Sequence, residues 1–270
     1  MSNNGERLDV YLVSNNYFSS RTSAQRAIEK GNIKVNDIVI DAKNYLVKEN
    51  DKIEVLPDEI SFVSRGGFKL EKAINTFNIA VNDKVALDIG ASTGGFSDCL
   101  LKHSAKLVYA LDVGTNQLVE QLRNNPRIIS IENTNFRYVD KSIFKEPFSL
   151  VVIDVSFISL YYIFATLATF DFKNLEIVAL IKPQFETTKQ NISKNGVVKE
   201  EKVHIEVLNK VIKDAKLFNF NLQGLTFSPL QGEKGGNIEF LGYFKKQDVT
   251  NLNIDIPLLV KQAHAYFKEK

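Results

Sequence analysis

Four charged residues stand where an apolar strand ends or a second unit opens. They are Lys69 in SRGGFKL, Asp154 in VVIDVSFISL, Lys182 in ALIKPQFE and Glu239 in GGNIEF. A charge in such a place is costly unless it is paired or put to use. Two structural ion pairs would account for the set. So would proton chemistry: a lysine crowded by a second lysine and flanked by carboxylates can take or steer a proton. A second stretch, VALDIGASTGGFSD, suggests ligand binding. Apolar strand residues lead through Asp88 into a small-residue loop of Gly90, Ala91, Ser92, Thr93, Gly94 and Gly95, closed by Phe96. Glycines there let a ligand approach the backbone closely.

The loop's order narrows the ligand. A Walker loop needs a lysine after its last glycine, and none follows here. The dinucleotide fingerprint needs G-x-G-x-x-G, whereas the order here is G-x-x-x-G-G. Asp88 would repel a pyrophosphate but suits a cation. S-adenosylmethionine carries an ammonium and a sulfonium and needs no phosphate cradle. Asp112 ends the next strand in VYALDVG, where an acidic residue can accept ribose hydroxyls. Asn135, in ENTNFRY after the third strand, is a candidate for the adenine.

These residues need a sheet to hold them. From residue 64 onward, apolar strands alternate with amphipathic helices, which predicts a doubly wound, mostly parallel α/β sheet. KVALDIG, KLVYALD, IISIEN, SLVVIDV and IVALIKP are the strands. GFSDCLLKHS, NQLVEQLRNN, SLYYIFATLATF and EEKVHIEVLNKVIKDAKLF are the helices between and after them. FNLQGLTFSP and NIEFLGYFKK, joined by a glycine-rich loop, should form an antiparallel pair at the edge, and PLLVKQAHAYFKE a final helix.

Residues 1–59 read as a separate small α+β module, followed by a linker at 60–63 and the large domain at 64–270. RLDVYLVSNNY and SSRTSAQRAIEKG give two short helices, with Ser19 and Ser20 as N-cap candidates and Gly31 as a stop. NIKVNDIVI gives two strands around Asn36-Asp37, DKIEVL a third, and Pro57 closes the unit. The first 60 residues hold ten acidic against eight basic residues. Yet Arg7, Arg21, Arg26, Lys30 and Lys34 outnumber Asp9 and Glu29 locally, and clustered cations grip phosphates. Arg65, in SRGG, is a further cation for RNA.

Composition sets limits. The net charge of +2 does not itself announce a nucleic-acid binder. One cysteine, Cys99, excludes an internal disulfide, and with three scattered histidines the expectation is no metal site. Cys99 reads as a buried small hydrophobe. The uncharged run Val155–Phe170 is shorter than the roughly 20 residues a membrane span needs. MSNNGERLDV has no signal-like apolar run. The expectation is a soluble, cytoplasmic protein without a membrane partner.

The order S-R-x-x-A-x-x-x-I-x-x-G-x-I-x-V-N, from Ser20 to Asn36, resembles the S4-type (alpha-L) RNA-binding module. Lys69, Asp154, Lys182 and Glu239 are similar in order and context to the Lys-Asp-Lys-Glu tetrad of FtsJ-type ribose 2′-O-methyltransferases. Amino-methylating enzymes instead carry an Asp/Asn-Pro-Pro-aromatic motif where this chain reads DVSF. With SRGGFKL, DIGASTGGF, DVSFISL, KPQFE and GNIEF in series, the whole chain resembles the TlyA family. That resemblance implies a class I (Rossmann-like) methyltransferase using S-adenosylmethionine. Its implied substrate is a cytidine ribose of ribosomal RNA, in the 50S subunit and, for chains of this length, the 30S. The tetrad would be catalytic. Two alternatives remain: a non-catalytic RNA-binding or ribosome-assembly protein, and the membrane-lytic activity of the family's historical label, hemolysin A.

Overall fold

The structure is a computed structural model that describes residues 5–18, 20–42, 44–56, 62–170, 174–232, 236–246 and 250–268. Ser19, Pro57 and the first half of the expected linker lie outside the described residues, as does the boundary expected at residues 59 and 60.

The N-terminal unit includes β1 (Glu6–Arg7), a two-residue strand that takes up Arg7, the first residue of the stretch read as the first helix. Helix α1 (Leu8–Ser14) buries Leu8 and Leu12 on one face, and α2 (Arg21–Glu29) buries Ala24, Ala27 and Ile28. Ser20 caps α2, accepting from the Ser23 N–H while Ser23 Oγ accepts from the Ser20 N–H, so two of the donors at the helix start are met. Strands β2 (Ile33–Val35) and β3 (Ile38–Val39) join through Asn36 and Asp37, both at positive φ, the geometry of a tight hairpin turn. Strands β4 (Leu46–Val47) and β5 (Ile53–Val55) complete the unit: β4 pairs with β1, and β5 pairs with β2.

The large unit starts with α3 (Gly66–Phe77). Then come β6 (Val85–Ile89), α4 (Gly95–Lys102), β7 (Leu107–Leu111), α5 (Glu120–Arg123) and β8 (Ile128–Ile131). Next are β9 (Leu150–Ile153), α6 (Leu160–Ala168), β10 (Leu175–Ile181), α7 (Pro183–Glu186) and α8 (Glu201–Leu217). The chain ends with β11 (Asn221–Phe227), β12 (Phe240–Lys246) and α9 (Ile256–Lys268). The seven-stranded sheet has the order β11-β12-β10-β9-β6-β7-β8. Strands β8, β7, β6, β9 and β10 run parallel, and β12 pairs antiparallel with both β10 and β11. This is the doubly wound α/β sheet with its antiparallel edge. The central strands are buried on both faces, which explains their continuous apolar sequences.

The helix expected across NQLVEQLRNN shrinks to four residues. Val119 stays extended and its N–H goes to the Thr93 carbonyl, so helix begins only at Glu120. Pro126 then disfavours helix at Asn125. The uncharged run from Val155 to Phe170 divides into a loop and α6. Among the described residues no helix is long and apolar enough to cross a membrane.

Helix α9 docks on α8 through paired imidazoles: His204 Nδ1 lies 2.8 Å from His264 Nε2. Burial first, then His264, push His204 down to about 4, and burial also lowers His264. His204 is therefore neutral in the fold near neutral pH but free to protonate in the unfolded chain. Stability from His204 is complete above pH ~6.5 and declines as pH falls towards ~4, on the order of 1 kcal/mol per pH unit. Thermal unfolding followed across that range should show a steeper acid loss in the native protein than in His204→Gln. Equal slopes would contradict the assignment.

Candidate active site

The glycine loop is shaped by its neighbours. Gly90 and Ala91 both donate N–H bonds to the Leu111 carbonyl, which folds the chain across the end of β7. Gly90 has φ +86°, and a Cβ there would stand 2.4 Å from the Asp154 carbonyl oxygen. Only glycine fits this contact with the neighbouring strand's end. At Gly95 a Cβ would meet Ser64 Oγ at 2.2 Å, so the SRGG stretch lies directly against the start of α4.

Asp112 holds the loop from the other side. Its Oδ2 accepts from the Ser92 N–H at 2.8 Å, and its Oδ1 from the Gly114 N–H at 2.7 Å. Asp88 lies beneath the loop, fully buried, with Oδ2 accepting from Ser97 Oγ at 2.7 Å and Oδ1 unpartnered. Burial, with repulsion from Asp154 and Asp112, raises its carboxyl to about 7 against the opposing Ser97 hydrogen bond. Asn135 is exposed, and its side-chain oxygen caps the turn Phe136–Tyr138 by accepting from the Arg137 N–H. It does not reach the cleft wall.

The four charges of the tetrad converge on one cleft of about 430 Å³ at the carboxyl ends of β6, β9 and β10. Lys182, directly after β10, places Nζ 2.6 Å from Asp154 Oδ1, directly after β9, and 3.1 Å from Ser156 Oγ. Lys69, one turn into α3, places Nζ 2.6 Å from Glu239 Oε2, and both are buried. The ion pairs of the first reading therefore exist, and both line the cleft that the glycine loop also lines. Burial opposes the charge on Lys69, but Glu239 and then Asp154 outweigh it and raise its pKa above the ordinary lysine value. Lys69 is thus held as a fixed cation.

Sequence reasoning overlooked the aromatic rim. Phe157 follows Asp154 by three residues and Phe185 follows Lys182 by three; their ring centroids lie 5.0 Å apart and both line the cleft. Phe157 is 87% exposed and sits at φ +62°, an outlier for a bulky residue that marks functional positions. Gln184, also on the wall, keeps a buried Oε1 without a partner. The only textual signal was the repeated spacing of charge and phenylalanine in DVSF and KPQF.

The cations expected to meet RNA divide into groups. Arg7 and Arg21 both bind the buried Asp9 carboxylate, which Gln25 also reaches, yet each guanidinium stays about half exposed. The Arg7 hydrogen bond leads the groups that hold Asp9 well below the usual carboxylate range. Lys34 lies 3.8 Å from Glu54. Arg26 and Lys30 line a groove that faces Phe62 of the linker and Lys102 and Glu120 of the large unit. Arg65 lines the tetrad cleft, pairs with Asp41 of the small unit and donates to the Gln231 carbonyl. Cys99 is buried as expected, but His103 is not scattered from it. Glu71, Cys99 and His103 bring their donor atoms within 4.8 Å of one another, with Glu71 Oε2 accepting from both neighbours.

Comparison with known proteins agrees with this geometry. The S4-domain family matches residues 6–53, and the FtsJ-like methyltransferase family matches residues 62–246. Hemolysin A of Brachyspira hyodysenteriae is 47% identical, over 88% of this chain and 99% of its own length. The 16S/23S rRNA (cytidine-2′-O)-methyltransferase TlyA of Mycobacterium tuberculosis is 35% identical, over 89% of this chain and 90% of its own. A solved structure from Streptococcus thermophilus, provisionally designated a hemolysin, superposes with a TM-score of 0.76 at 42% identity, covering 99% of this chain and 98% of that one. With a small N-terminal unit of S4 type and a tetrad cleft at the carboxyl edge of an FtsJ-like sheet, the chain belongs to the TlyA family of S4-bearing FtsJ-like methyltransferases.

Proposed function

We propose that this protein methylates the 2′-hydroxyl of a cytidine ribose in ribosomal RNA, of the 50S subunit and also the 30S. The observation that carries this reading is the convergence of two lysine–carboxylate pairs and a glycine loop on one cleft. Residues 1–59 are read as the RNA-docking module and residues 64–270 as the catalytic domain, joined at 60–63. The relatives' names support the substrate; the ribosome supports a cytoplasmic location.

The glycine loop on the cleft wall, with Asp88 and Asp112 behind it and outside the cleft's lining, fits S-adenosylmethionine on three counts. The loop Gly90–Phe96 offers close backbone approach. Asp88 keeps an unpartnered carboxylate oxygen beneath that loop, suited to a cation. Asp112 has oxygens already aligned by two backbone donors and retains lone pairs for ribose hydroxyls. Asn135, expected at the adenine, is engaged in capping the turn after β8 and does not line the cleft, so it is given no part in holding the cofactor. Bound S-adenosylmethionine supplies an electrophilic methyl carbon on a sulfonium.

The chain's own groups then have distinct tasks. Lys182 takes or steers the proton of the attacking ribose hydroxyl, while Asp154 and Ser156 hold its amine in place. Lys69, kept cationic by Glu239, orients the ribose or an adjoining phosphate rather than serving as the base. Phe157 gives the target base a ring to stack on once it has left its helix. In-line placement of the hydroxyl against the methyl carbon supplies most of the acceleration. Arg7, Arg21, Arg26, Lys30, Lys34 and Arg65 grip phosphates and fix register.

The deciding experiment is methyl transfer from labelled S-adenosylmethionine to purified, unmodified 30S and 50S subunits, with ribose methylation mapped afterwards. The native protein labels a specific cytidine ribose. Lys182→Ala keeps its fold and cofactor affinity but loses turnover by about a hundredfold or more, and Phe157→Ala raises KM for the subunit. A folded, cofactor-binding native protein that labels neither subunit would leave RNA binding without catalysis as the surviving reading.

Asp88 adds a pH signature. A cation binding beside it favours the carboxylate, so binding expels the proton held below pH ~7. Affinity for S-adenosylmethionine should therefore rise with pH through ~7, and Asp88→Asn should flatten that dependence. Titration calorimetry in buffers of different ionisation enthalpy reads the proton release directly.

A further inference from the structure

The uncharged run Val155–Phe170 is absorbed only in part by the cleft. It delivers Phe157 to the rim and then continues into α6, whose first turn leaves Tyr161 38% exposed and Tyr162 39% exposed. The two rings meet edge to face, with centroids 5.4 Å apart, and Phe218 backs Tyr161 at 5.3 Å. Beside them stands the turn Phe136–Tyr138. Arg137 lays its guanidinium 4.1 Å from the Tyr162 ring centroid and 5.4 Å from that of Tyr138, whose own ring is 75% exposed. Thr166 Oγ1 lies 3.2 Å from the Arg137 carbonyl oxygen, and the Asn135 cap fixes the turn's start. The arrangement is built: each exposed ring is braced by a neighbour.

We propose that Tyr138, Arg137, Tyr162 and Tyr161 form a stacking platform for unpaired RNA bases flanking the nucleotide held in the cleft. The inference rests on the RNA-methyltransferase reading above and extends it to the neighbouring stretch of substrate. Flat aromatic faces interleaved with a guanidinium are what single-stranded RNA uses, because every base has a face to stack and every phosphate a charge to neutralise. Continuity with the cleft selects RNA over other occupants. Ser159 Oγ and the Leu160 N–H both donate to Glu186, at 2.7 and 2.6 Å, pinning the start of α6 to α7, the element that carries Phe185. Phe157 stands only four positions before Tyr161 in the chain, so a polymer lying across the Phe157–Phe185 rim is led toward the start of α6. An anionic membrane would also favour tyrosine and arginine, but it would have no reason to begin at a catalytic cleft.

The test compares native protein with Tyr138→Ala/Tyr162→Ala and Tyr138→Phe/Tyr162→Phe. Methyl transfer to whichever ribosomal subunit the native protein modifies gives kcat and KM. The alanine pair should raise KM by about tenfold or more with kcat and cofactor affinity unchanged, and the phenylalanine pair should restore KM because the rings remain. Fluorescence anisotropy with a short labelled single-stranded RNA reads the same platform without chemistry, with the same ordering expected. Should native protein fail to methylate either subunit, the enzymatic reading falls while the anisotropy result still decides the platform. Unchanged RNA affinity and KM in the alanine pair would overturn the proposal. So would phenylalanine variants as weak as alanine, or native-dependent binding to phosphatidylcholine–phosphatidylglycerol vesicles that the alanine pair loses while RNA affinity stays intact.

Discussion

Two lysine–carboxylate pairs at the carboxyl edge of one sheet set the conditions for everything around them. Removing one partner from a buried pair leaves an uncompensated charge, at a cost of roughly 3–5 kcal/mol. Lys69 and Glu239 meet that condition most strictly, since both are buried and lie 170 positions apart in the chain. Their contact requires α3 to approach β12 across the sheet's end. Lys182 and Asp154 end adjacent parallel strands, so the pairing of β9 with β10 brings them together automatically. One pair is thus a consequence of strand order and the other a demand on it.

The same edge concentrates negative charge. Burial raises the Asp88 carboxyl most, and the charges of Asp154 and Asp112 add to that. Lys69 gains from this, because Asp154 as well as Glu239 supports its charge. A site with an unpartnered carboxylate oxygen under a glycine loop is electrostatically prepared for a cation. Preparation of this kind costs stability in the empty cleft and is recovered when a cationic group arrives.

The small unit shows the opposite use of a buried carboxylate. Asp9 gathers Arg7, Arg21 and Gln25, so part of the basic face serves to hold α1 against α2. The guanidiniums remain half exposed and can still meet phosphates. Arg65 links the two units, bonded to Asp41 on one side and the Gln231 carbonyl on the other while lining the cleft.

The sequence alone determined the doubly wound sheet, its antiparallel edge, the glycine loop and the identity of the tetrad. Those features are written in local patterns: apolar runs, glycines at fixed offsets and charges at strand ends. Local pattern misjudged the helix after Asn116, where a contact from Val119 to Thr93 held the chain extended against its propensity. It also missed the strand at Glu6–Arg7, because the partner lies 40 positions away at Leu46–Val47. Only the tertiary structure decided which lysine meets which carboxylate, that Asn135 caps a turn away from the cleft wall, and that Phe157 stands exposed at positive φ on the rim. It alone joined Glu71, Cys99 and His103 into one cluster. Each of these depends on distances between elements remote in sequence, and such distances are set by how the layers pack, not by any neighbouring residue.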